Sequence, residues 1–393
     1  MSQAFEPTIN DLLASGELDR VRHKMEPWLA AYGDERSASY FYRDWLELGG
    51  DLGLVREPLQ KWLARHREQP DAEYLYKAWL SAGGELDLVC EPIRRWLADH
   101  GESITASYVY KAWLERGGEL DLVSEHLERW LECHGTTENA GFVYPAWLQA
   151  SDDIDCVRGL ISSWLGVHKN VGQASYVYVA WLEEGGDREF VREPIRAWLA
   201  KHAGSHEEAQ FVLGAWLDAG GDREFVREPI KAWQAAHGEL ASASFVYTAW
   251  LRSGGEHKLI RKPLNRWLER NYDMNSARFL YGTWLKAGGD YRLVREPIER
   301  WLDSHAETAE ASFVYIAWLN AKGDLGVVRE AIRAWLALHC RIPEAHVLYM
   351  AWLEADGDPS YIGEPVRRWL QSHGRSSNAQ VLCRRWLELE GRI

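Results

Sequence analysis

Tryptophan recurs along this chain at a fixed spacing, and no other feature constrains its fold as strongly. The 393 residues include 22 tryptophans in two interleaved series, each with a step of 34 residues and a single step of 35. One series runs from Trp45 to Trp386 and the other from Trp28 to Trp369. A repeat of this length is typical of solenoids, in which helical hairpins stack on their neighbours.

The residues around each tryptophan indicate two kinds of helix. In the series from Trp45, here called the A helices, Ala stands seven residues before Trp, Tyr usually three before, and Leu directly after. In the B helices, Val or Ile stands seven residues before Trp and Pro often four before. Each set forms one apolar helical face. Because Pro is tolerated only in the first turn, the pattern predicts that each B helix begins near its proline.

Glycine marks the turn between the two helices of a repeat. The A helices usually end in a Gly pair such as Gly83-Gly84, followed by Asp or Glu. Glycine reaches the left-handed cap conformation without strain, and the acid can accept backbone N–H bonds at the next helix start. No segment shows a strand pattern. The sequence therefore predicts an all-α protein, a right-handed α/α solenoid of about eleven helix–turn–helix repeats plus a closing helix.

The ends of the chain depart from the repeat. Asp11 stands where the first Trp would be, and Arg385 replaces the usual Ala beside Trp386. Terminal repeats have one face without a neighbour, so polar substitutions are expected there. We therefore expect a degenerate capping repeat over 1–33, the array over 34–372 and a capping helix over 373–393. Buried tryptophans should carry the stability of the array, among them Trp45, Trp79, Trp113, Trp250, Trp267 and Trp284.

The 34-residue helix–turn–helix unit resembles the tetratricopeptide-type solenoids over essentially the whole chain. The resemblance lies in the architecture. The signature W-x2-L-G-x2-Y is replaced here by Tyr before Trp and Leu directly after it. The resemblance implies an array that binds peptides or partner proteins in its concave groove.

A narrow stripe of each A helix varies between repeats and is the expected partner-binding surface. It comprises the positions six and two residues before Trp and two after. A helix with so narrow a free stripe suits the concave wall, whereas the B helices have a broad polar back. The candidate partner-binding residues on this stripe are Arg43, Lys77, Lys111, Val179, Thr248, Ile316 and Met350, two before Trp, with Arg278 and His346, six before Trp.

The aromatic residues five before Trp, from Tyr40 to Phe313, border this stripe. The pattern favours packing between neighbouring helices for them, with base stacking as the alternative. Arg43 and Lys111 each have an acid one turn on, at Glu47 and Glu115, which favours solvated surface pairs over ligand contacts.

Composition and motifs narrow the function class. The formal charge of −14 disfavours general binding to nucleic acid or anionic membrane. We find no catalytic motif, no phosphate loop and no cofactor signature, which predicts a non-enzymatic protein without cofactors. No membrane span, no basic leader and no Cys-x-x-Cys pair is present, so a cytoplasmic location with reduced thiols is expected.

Three functions remain open. The leading one is a scaffold that binds an extended peptide or partner protein along the concave A-helix surface. The second is the recognition subunit of a larger signalling or defence assembly. The third is binding of single-stranded RNA, one base per repeat, as helical-repeat readers do.

Histidine raises a metal hypothesis, since nine histidines stand four residues after the tryptophans of the B helices. Equivalent residues one repeat apart are two helix diameters apart, which is too far for one ion. We therefore expect no metal site, and expect these histidines to bond carbonyls near the helix end.

One repeat, from Phe142 to His168, is irregular. Pro145 stands inside the A helix, Ser151-Asp152 replace the Gly pair, and Gly159 stands where Glu is usual. This unit is expected to be a weak point or a specialised site, with a local bend.

Overall fold

The computed structural model describes residues 9–390 apart from residues 152 and 206. In that part of the chain it has 23 α-helices, two short 3-10 helices and no strand. The all-α prediction is confirmed, and so is the count, since the helices form eleven A–B pairs and one closing helix. The A helices are α1 Ile9–Ala14, α3 Ala38–Glu47, α5 Ala72–Ser81, α7 Ala106–Glu115, α9 Ala140–Ala150, α11 Ala174–Glu183, α13 Ala209–Asp218, α15 Ala243–Arg252, α17 Asn275–Lys286, α19 Ala311–Asn320, α21 Ala345–Glu354 and α23 Ser377–Glu390. The B helices are α2 Leu18–Tyr32, α4 Leu52–His66, α6 Leu86–His100, α8 Ser124–His134, α10 Arg158–His168, α12 Arg188–His202, α14 Arg223–His237, α16 His257–Asn271, α18 Tyr291–His305, α20 Leu325–His339 and α22 Pro359–His373.

The chain divides into two compact units, Met1–Trp198 and Leu199–Ile393. In each unit an A helix packs on the A helix of the next repeat, and more extensively than the B helices pack on one another. The small Ala directly before most A-helix tryptophans is buried, as at Ala78 and Ala249, which allows this close approach. The expected division at 33 and 372 stays a prediction, and residues 1–8 and 391–393 of the expected caps lie outside the described residues.

The tryptophans form the core and also hold the loops. Trp45, Trp79, Trp113, Trp250, Trp267 and Trp284 are all at most 2% exposed. In the A helices the indole N–H donates to a carbonyl six residues on, as from Trp79 to Glu85 at 3.0 Å. In the B helices it donates to a carbonyl 27 residues back, as from Trp62 to Glu35 at 2.8 Å. Most of the tryptophans thus fix one end of a connecting loop, whereas the indole nitrogens of Trp147, Trp301 and Trp386 have no hydrogen-bond partner.

Tyrosine makes a third bond of the same kind. Tyr42 donates its hydroxyl to the carbonyl of Gly33 at 2.8 Å, and Tyr247 donates to Gly238 at 2.7 Å, nine residues back in both cases. Burial raises the pKa of both phenols, so they are neutral donors at any ordinary pH. The hydrogen bonds made by this tyrosine and by the A-helix and B-helix tryptophans together explain why these three aromatic positions recur.

The Gly pair has two different roles. The first glycine, such as Gly83 with φ of +85°, adopts the left-handed conformation. The second, Gly84, lies against the indole of Trp79. The acid that follows caps the next helix where it is aspartate: Asp51 Oδ1 accepts from Gly53 N at 2.8 Å. Glu85 makes no such side-chain cap, because its longer side chain does not fold back in this way.

The expected start of the B helices at proline is wrong. α4 begins at Leu52 and contains Pro58 in its interior, and α6 likewise begins six residues before Pro92. Val55 and Val89, which precede these prolines, are at most 1% exposed. Burial of this extra turn in the core outweighs the hydrogen bond that the proline removes.

The irregular repeat deviates in its loop. α9 continues as an α-helix through Pro145 and ends at Ala150. A 3-10 helix then covers Ile154–Val157 and α10 begins at Arg158, an arrangement shared with the preceding repeat, where a 3-10 helix over Leu120–Leu122 precedes α8. The buried indole nitrogen of Trp147 has no hydrogen-bond partner, whereas the other A-helix tryptophans from Trp45 to Trp352 are bonded. Asp152, half of the pair that replaces Gly-Gly, lies outside the described residues, and the expected change of curvature stays a prediction.

No helix in the described part of the chain is both long and apolar enough to cross a membrane. All five cysteines are described, and none forms a disulfide.

Candidate binding surface on the A helices

The A helices expose one aromatic side chain per repeat, five residues before Trp. These side chains, here called the aromatic row, are between 41% and 67% exposed. The prediction that they are covered by packing between neighbouring helices is therefore wrong, although the rings of Phe142 and Tyr176 on successive A helices lie 6.4 Å apart. The row consists of Tyr40, Tyr74, Tyr108, Phe142, Tyr176, Phe211, Phe245, Phe279 and Phe313, and it continues as Val347 and Val381.

Helix geometry explains the exposure. At about 100° per residue, the positions five before, two before and two after Trp point within about 60° of one another, opposite the Trp face. The packing interpretation would fit this position only if it shared the surroundings of the Ala directly before Trp, which lies one turn away. In the structure only that Ala is buried between A helices, as Ala180 is with 3% exposure. The angular argument would have identified the aromatic row from the sequence.

The positions two before Trp, here called the variable row, lie beside the aromatic row on the same face. All seven candidate binding residues of this row are half-buried: Arg43, Lys77, Lys111, Val179, Thr248, Ile316 and Met350. They are covered in part by their aromatic neighbours. The Arg43 guanidinium lies 5.4 Å from the Tyr40 ring centre, and Lys77 Nζ lies 6.0 Å from that of Tyr108.

The three cations of the variable row in the first unit are bound by carboxylates. Lys111 Nζ lies 2.7 Å from Glu115, as the spacing predicts. Arg43 pairs with its neighbour Asp44 at 2.6 Å and not with Glu47. Glu47 instead approaches Lys77 of the next A helix at 3.5 Å. The expected Arg43–Glu47 pair is therefore replaced by a contact between repeats.

The position six before Trp does not belong to the free stripe. Ser39, Ser107, Ser175 and Ser244 are at most 5% exposed there. Each donates its hydroxyl to a carbonyl three residues back, as Ser107 does to Ile104 at 2.9 Å. This position faces the B-helix tryptophan, since a Cβ on Gly141 would lie 2.5 Å from the Trp164 ring. The inclusion of this position in the stripe is therefore wrong for these repeats.

Arg278 and His346 occupy this inner position and are half-buried. The Arg278 guanidinium lies 4.7 Å from the Phe279 ring centre and 4.0 Å from Glu310. The His346 ring lies 5.7 Å from Trp369, and its Nδ1 is 2.8 Å from the Pro343 carbonyl. Arg278 thus touches the aromatic row from its edge, whereas His346 packs on a B helix.

Glu73 occupies the same inner position and is only 5% exposed. It lines a pocket of about 240 Å³ with Tyr74, His100 and Thr105. Burial raises the pKa of Glu73, and hydrogen bonds from Thr105 and Tyr74 partly oppose that shift. The fold therefore buries the Glu73 carboxyl group at a place where its ionised form is less stable than in water.

The two units present different chemistry on the A-helix face. In the first, the aromatic row is mainly tyrosine and the variable row begins with Arg43, Lys77 and Lys111. In the second, the aromatic row is phenylalanine from Phe211 to Phe313, beside small or apolar residues of the variable row such as Gly282 and Ile316. The second unit therefore exposes one large apolar side chain per A helix from Phe211 to Phe313.

Most of the B-helix histidines bond backbone carbonyls, as expected, chiefly in the loop that precedes the A helix, whereas Nε2 of His237 has no partner. His66 Nε2 donates to the Asp34 carbonyl at 2.9 Å, and His168 Nε2 donates to Thr136 at 2.7 Å. His373 differs, with Nδ1 3.2 Å from the Trp369 carbonyl in its own helix. Across residues 9–390, with 152 and 206 left aside, no group of three His, Cys, Asp or Glu could hold a metal ion.

Comparison with protein-family models finds no family that matches the chain, and comparison with curated proteins finds no match either. The function has therefore to be inferred from the surface itself.

Proposed function

We propose that the chain is a non-enzymatic scaffold that binds an extended peptide or a partner protein along the aromatic and variable rows of its A helices. The main observation in support of this proposal is that nine successive A helices each expose one aromatic side chain, from Tyr40 to Phe313. Contiguous exposed apolar surface is typical of interaction sites, and aromatic residues are enriched in the cores of interfaces. Because the A helices pack more closely on one another than the B helices do, we infer that this face is the concave one within each unit.

The spacing of the row fits an extended chain. Packed helices lie about 8–10 Å apart. A polyproline II segment repeats every three residues, which is about 9.3 Å. One side chain in three of such a segment would therefore meet one aromatic residue per repeat. This match supports an extended peptide as the ligand.

The two chemistries of the face support a partner with two kinds of segment. Beside Arg43, Lys77 and Lys111 the partner would present acidic side chains, and the tyrosine hydroxyls of that unit can bond to it. Beside Phe245, Phe279 and Phe313 it would present apolar side chains. A recognition subunit of a larger assembly would use the same surface.

RNA binding has one feature in its favour, since exposed aromatic side chains can stack on bases. A continuous phosphate backbone would have to pass the carboxylates of this face, such as Glu115 beside Lys111 and Glu47 beside Lys77, whereas a peptide can present single acidic side chains between them. The formal charge of −14 would further repel a phosphate backbone. These observations favour a protein ligand over RNA.

Affinity capture from the native host with quantitative mass spectrometry tests the proposal. The baits are the wild-type chain, a Phe245→Ser/Phe313→Ser double variant, and Leu338→Ser, which removes an equally exposed apolar side chain (63%) from B helix α20. Partners should be lost from the double variant and retained by Leu338→Ser. Retention of every partner by the double variant would exclude the aromatic row as the binding surface.

A salt titration with random-sequence RNA completes the test. Tight binding that weakens steeply with salt and is lost in Phe245→Ser/Phe313→Ser would show an RNA-binding surface. That result would overturn the proposal in favour of base stacking.

A further inference from the structure

A basic groove lies on the B helices of the second unit, outside the surface proposed above. It has a volume of about 690 Å³ and lies between α14 and α16. Its lining includes one carboxylate, Glu256, and six cations: Arg227, Lys231, Lys258, Arg261, Lys262 and Arg266. Such a concentration of positive charge is unusual in a chain whose formal charge is −14.

Lys262 reverses a charge that the B helices otherwise repeat. Glu usually stands five residues before the B-helix Trp, and in several helices it pairs with a cation one turn on. Examples are Glu57–Lys61 at 2.8 Å and Glu364–Arg368 at 2.9 Å. In α16 this position is Lys262, which has Lys258 one turn before it and Arg266 one turn after it. Like charges at this spacing destabilise a helix, so α16 carries a local electrostatic cost.

Four of the six cations already have carboxylate partners. Arg227 contacts Glu224 at 2.9 Å and Glu256 at 3.1 Å. The other three pairs are Lys231–Glu228, Arg261–Asp290 and Arg266–Glu239. Lys258 and Lys262 form no ion pair with any residue that the structure describes. They are both exposed, and Leu259 and the buried Pro263 also line the groove.

We propose that this groove binds an acidic segment of a partner protein, with one carboxylate on Lys258 and another on Lys262. Four residues of helix advance about 6 Å. Residues i and i+2 of an extended chain lie about 6.6 Å apart on the same side. Two acidic residues separated by one residue therefore match the two lysines.

The surroundings favour a short acidic segment over a long polyanion. Glu224, Glu228, Glu239 and Asp290 surround the groove through their pairs with its cations. A nucleic acid would carry its phosphates past these carboxylates, whereas a peptide with two acids would not. The apolar floor at Leu259 and Pro263 also suits the backbone and side chains of a peptide.

Fluorescence anisotropy with a labelled pentapeptide tests the proposal on the full-length chain. The probe carries two aspartates separated by one residue, and its control carries asparagines at both places. Wild type should bind the aspartate peptide at least tenfold more tightly than the asparagine peptide. Lys262→Glu should lower that affinity tenfold or more. Its urea midpoint should stay equal or rise, because the new carboxylate can pair with Arg266.

Glu296→Lys in α18 is the matched control, because it makes a charge change of equal size and opposite sign at the equivalent position, beside Arg300. Glu296→Lys should leave the peptide affinity within about twofold of wild type. If it instead raised the affinity by as much as Lys262→Glu lowers it, the affinity would depend on net charge alone. Equal binding of the two peptides, or unchanged binding by Lys262→Glu, would also overturn the proposal. So would displacement of the peptide by random RNA at a lower concentration than by unlabelled peptide. None of these results bears on Phe245 or Phe313, so the A-helix proposal is tested separately.

Discussion

Gly84 lies directly against the indole of Trp79: a Cβ at Gly84 would be 2.3 Å from Cε2 of that ring. The same tryptophan donates its N–H to the Glu85 carbonyl at 3.0 Å. The turn between the helices is thus closed on the tryptophan by one steric contact and one hydrogen bond.

Gly84→Ala should destabilise the fold by about 1–3 kcal/mol, because the added methyl must displace the ring or the turn. Gly159→Ala is the control, since a Cβ there meets no atom within 4 Å and the residue lies in α10. It should leave stability equal or raise it by up to about 1 kcal/mol. Urea unfolding of both variants measures the difference, and equal midpoints would contradict the steric argument.

Trp250→Ala should loosen its neighbourhood more than Trp386→Ala. Trp250 is 2% exposed and bonds to the Glu256 carbonyl, whereas Trp386 is 8% exposed with an unbonded indole nitrogen. Truncation of a buried Trp costs roughly 3–5 kcal/mol. Hydrogen exchange should show faster amide exchange in α15 and its neighbours. Equal effects of the two changes would be inconsistent with nearest-neighbour coupling in the array.

Glu73 should make stability fall as the pH rises. Burial raises its folded-state pKa above 4.5, so folding favours the protonated form, and the stability present below pH 4.5 is lost as the pH rises through the folded value. Glu73→Gln should therefore gain stability relative to wild type as the pH is raised to neutrality. Urea midpoints across this range measure the gain.

Glu85→Gln gives the opposite sign as a control, because the hydrogen bond from Arg56 lowers the pKa of Glu85. This variant should lose stability relative to wild type above the ordinary pKa of a glutamate. A Glu73→Gln advantage that is independent of pH would mean that the carboxylate is not strained by burial.

Reversal of both Lys77 and Lys111 to Glu should slow association with a native partner and weaken its salt dependence, because long-range attraction is lost. Met350→Asp should instead raise the dissociation rate, since it places a charge in a desolvated contact. Surface plasmon resonance at several salt concentrations separates the two effects. Indifference of a partner to all three changes would indicate that a B helix or an end of the array makes the contact.

The irregular repeat should open more readily than the others. Hydrogen exchange in α9 and α10 should be faster than in α11 and α12, because Trp147 lacks its bond to the loop and Pro145 removes one helix bond. Pro145→Val, which copies Val179 of the next repeat, should slow exchange in α9. Protection equal to that of α11 in the wild-type chain would contradict this expectation.

The fold could be predicted from the sequence because its signals are periodic and local. The tryptophan spacing predicted the helix pairs, and the Gly pairs predicted the turns. The start of α4 could not be predicted from Pro58, because burial of Val55 decides it and propensity alone does not show burial. The hydrogen bonds from Trp62 and His66 to the preceding loop depend on how the two helices of the hairpin pack. That packing cannot be read from a local sequence pattern.

The candidate surface was predicted only in part. The variable row was placed on the free face, but Tyr40 and its equivalents were assigned to packing and Ser39 to the free face. Both errors come from counting turns without comparing angles. The groove at Lys258 and Lys262 needed the structure, because it depends on which cations already have partners.

The bonds made by tryptophan, tyrosine and histidine around one repeat also limit how such a chain can change in length. Tyr42 donates to Gly33, Trp62 to Glu35 and His66 to Asp34, so these hydrogen bonds all lie within a single 34-residue repeat. Insertion or loss of a whole repeat leaves all of these hydrogen bonds intact, whereas loss of part of a repeat breaks several of them at once. An ancestor built in this way could be lengthened by duplication of whole repeats, and each duplication would add one more exposed aromatic side chain to the A-helix face.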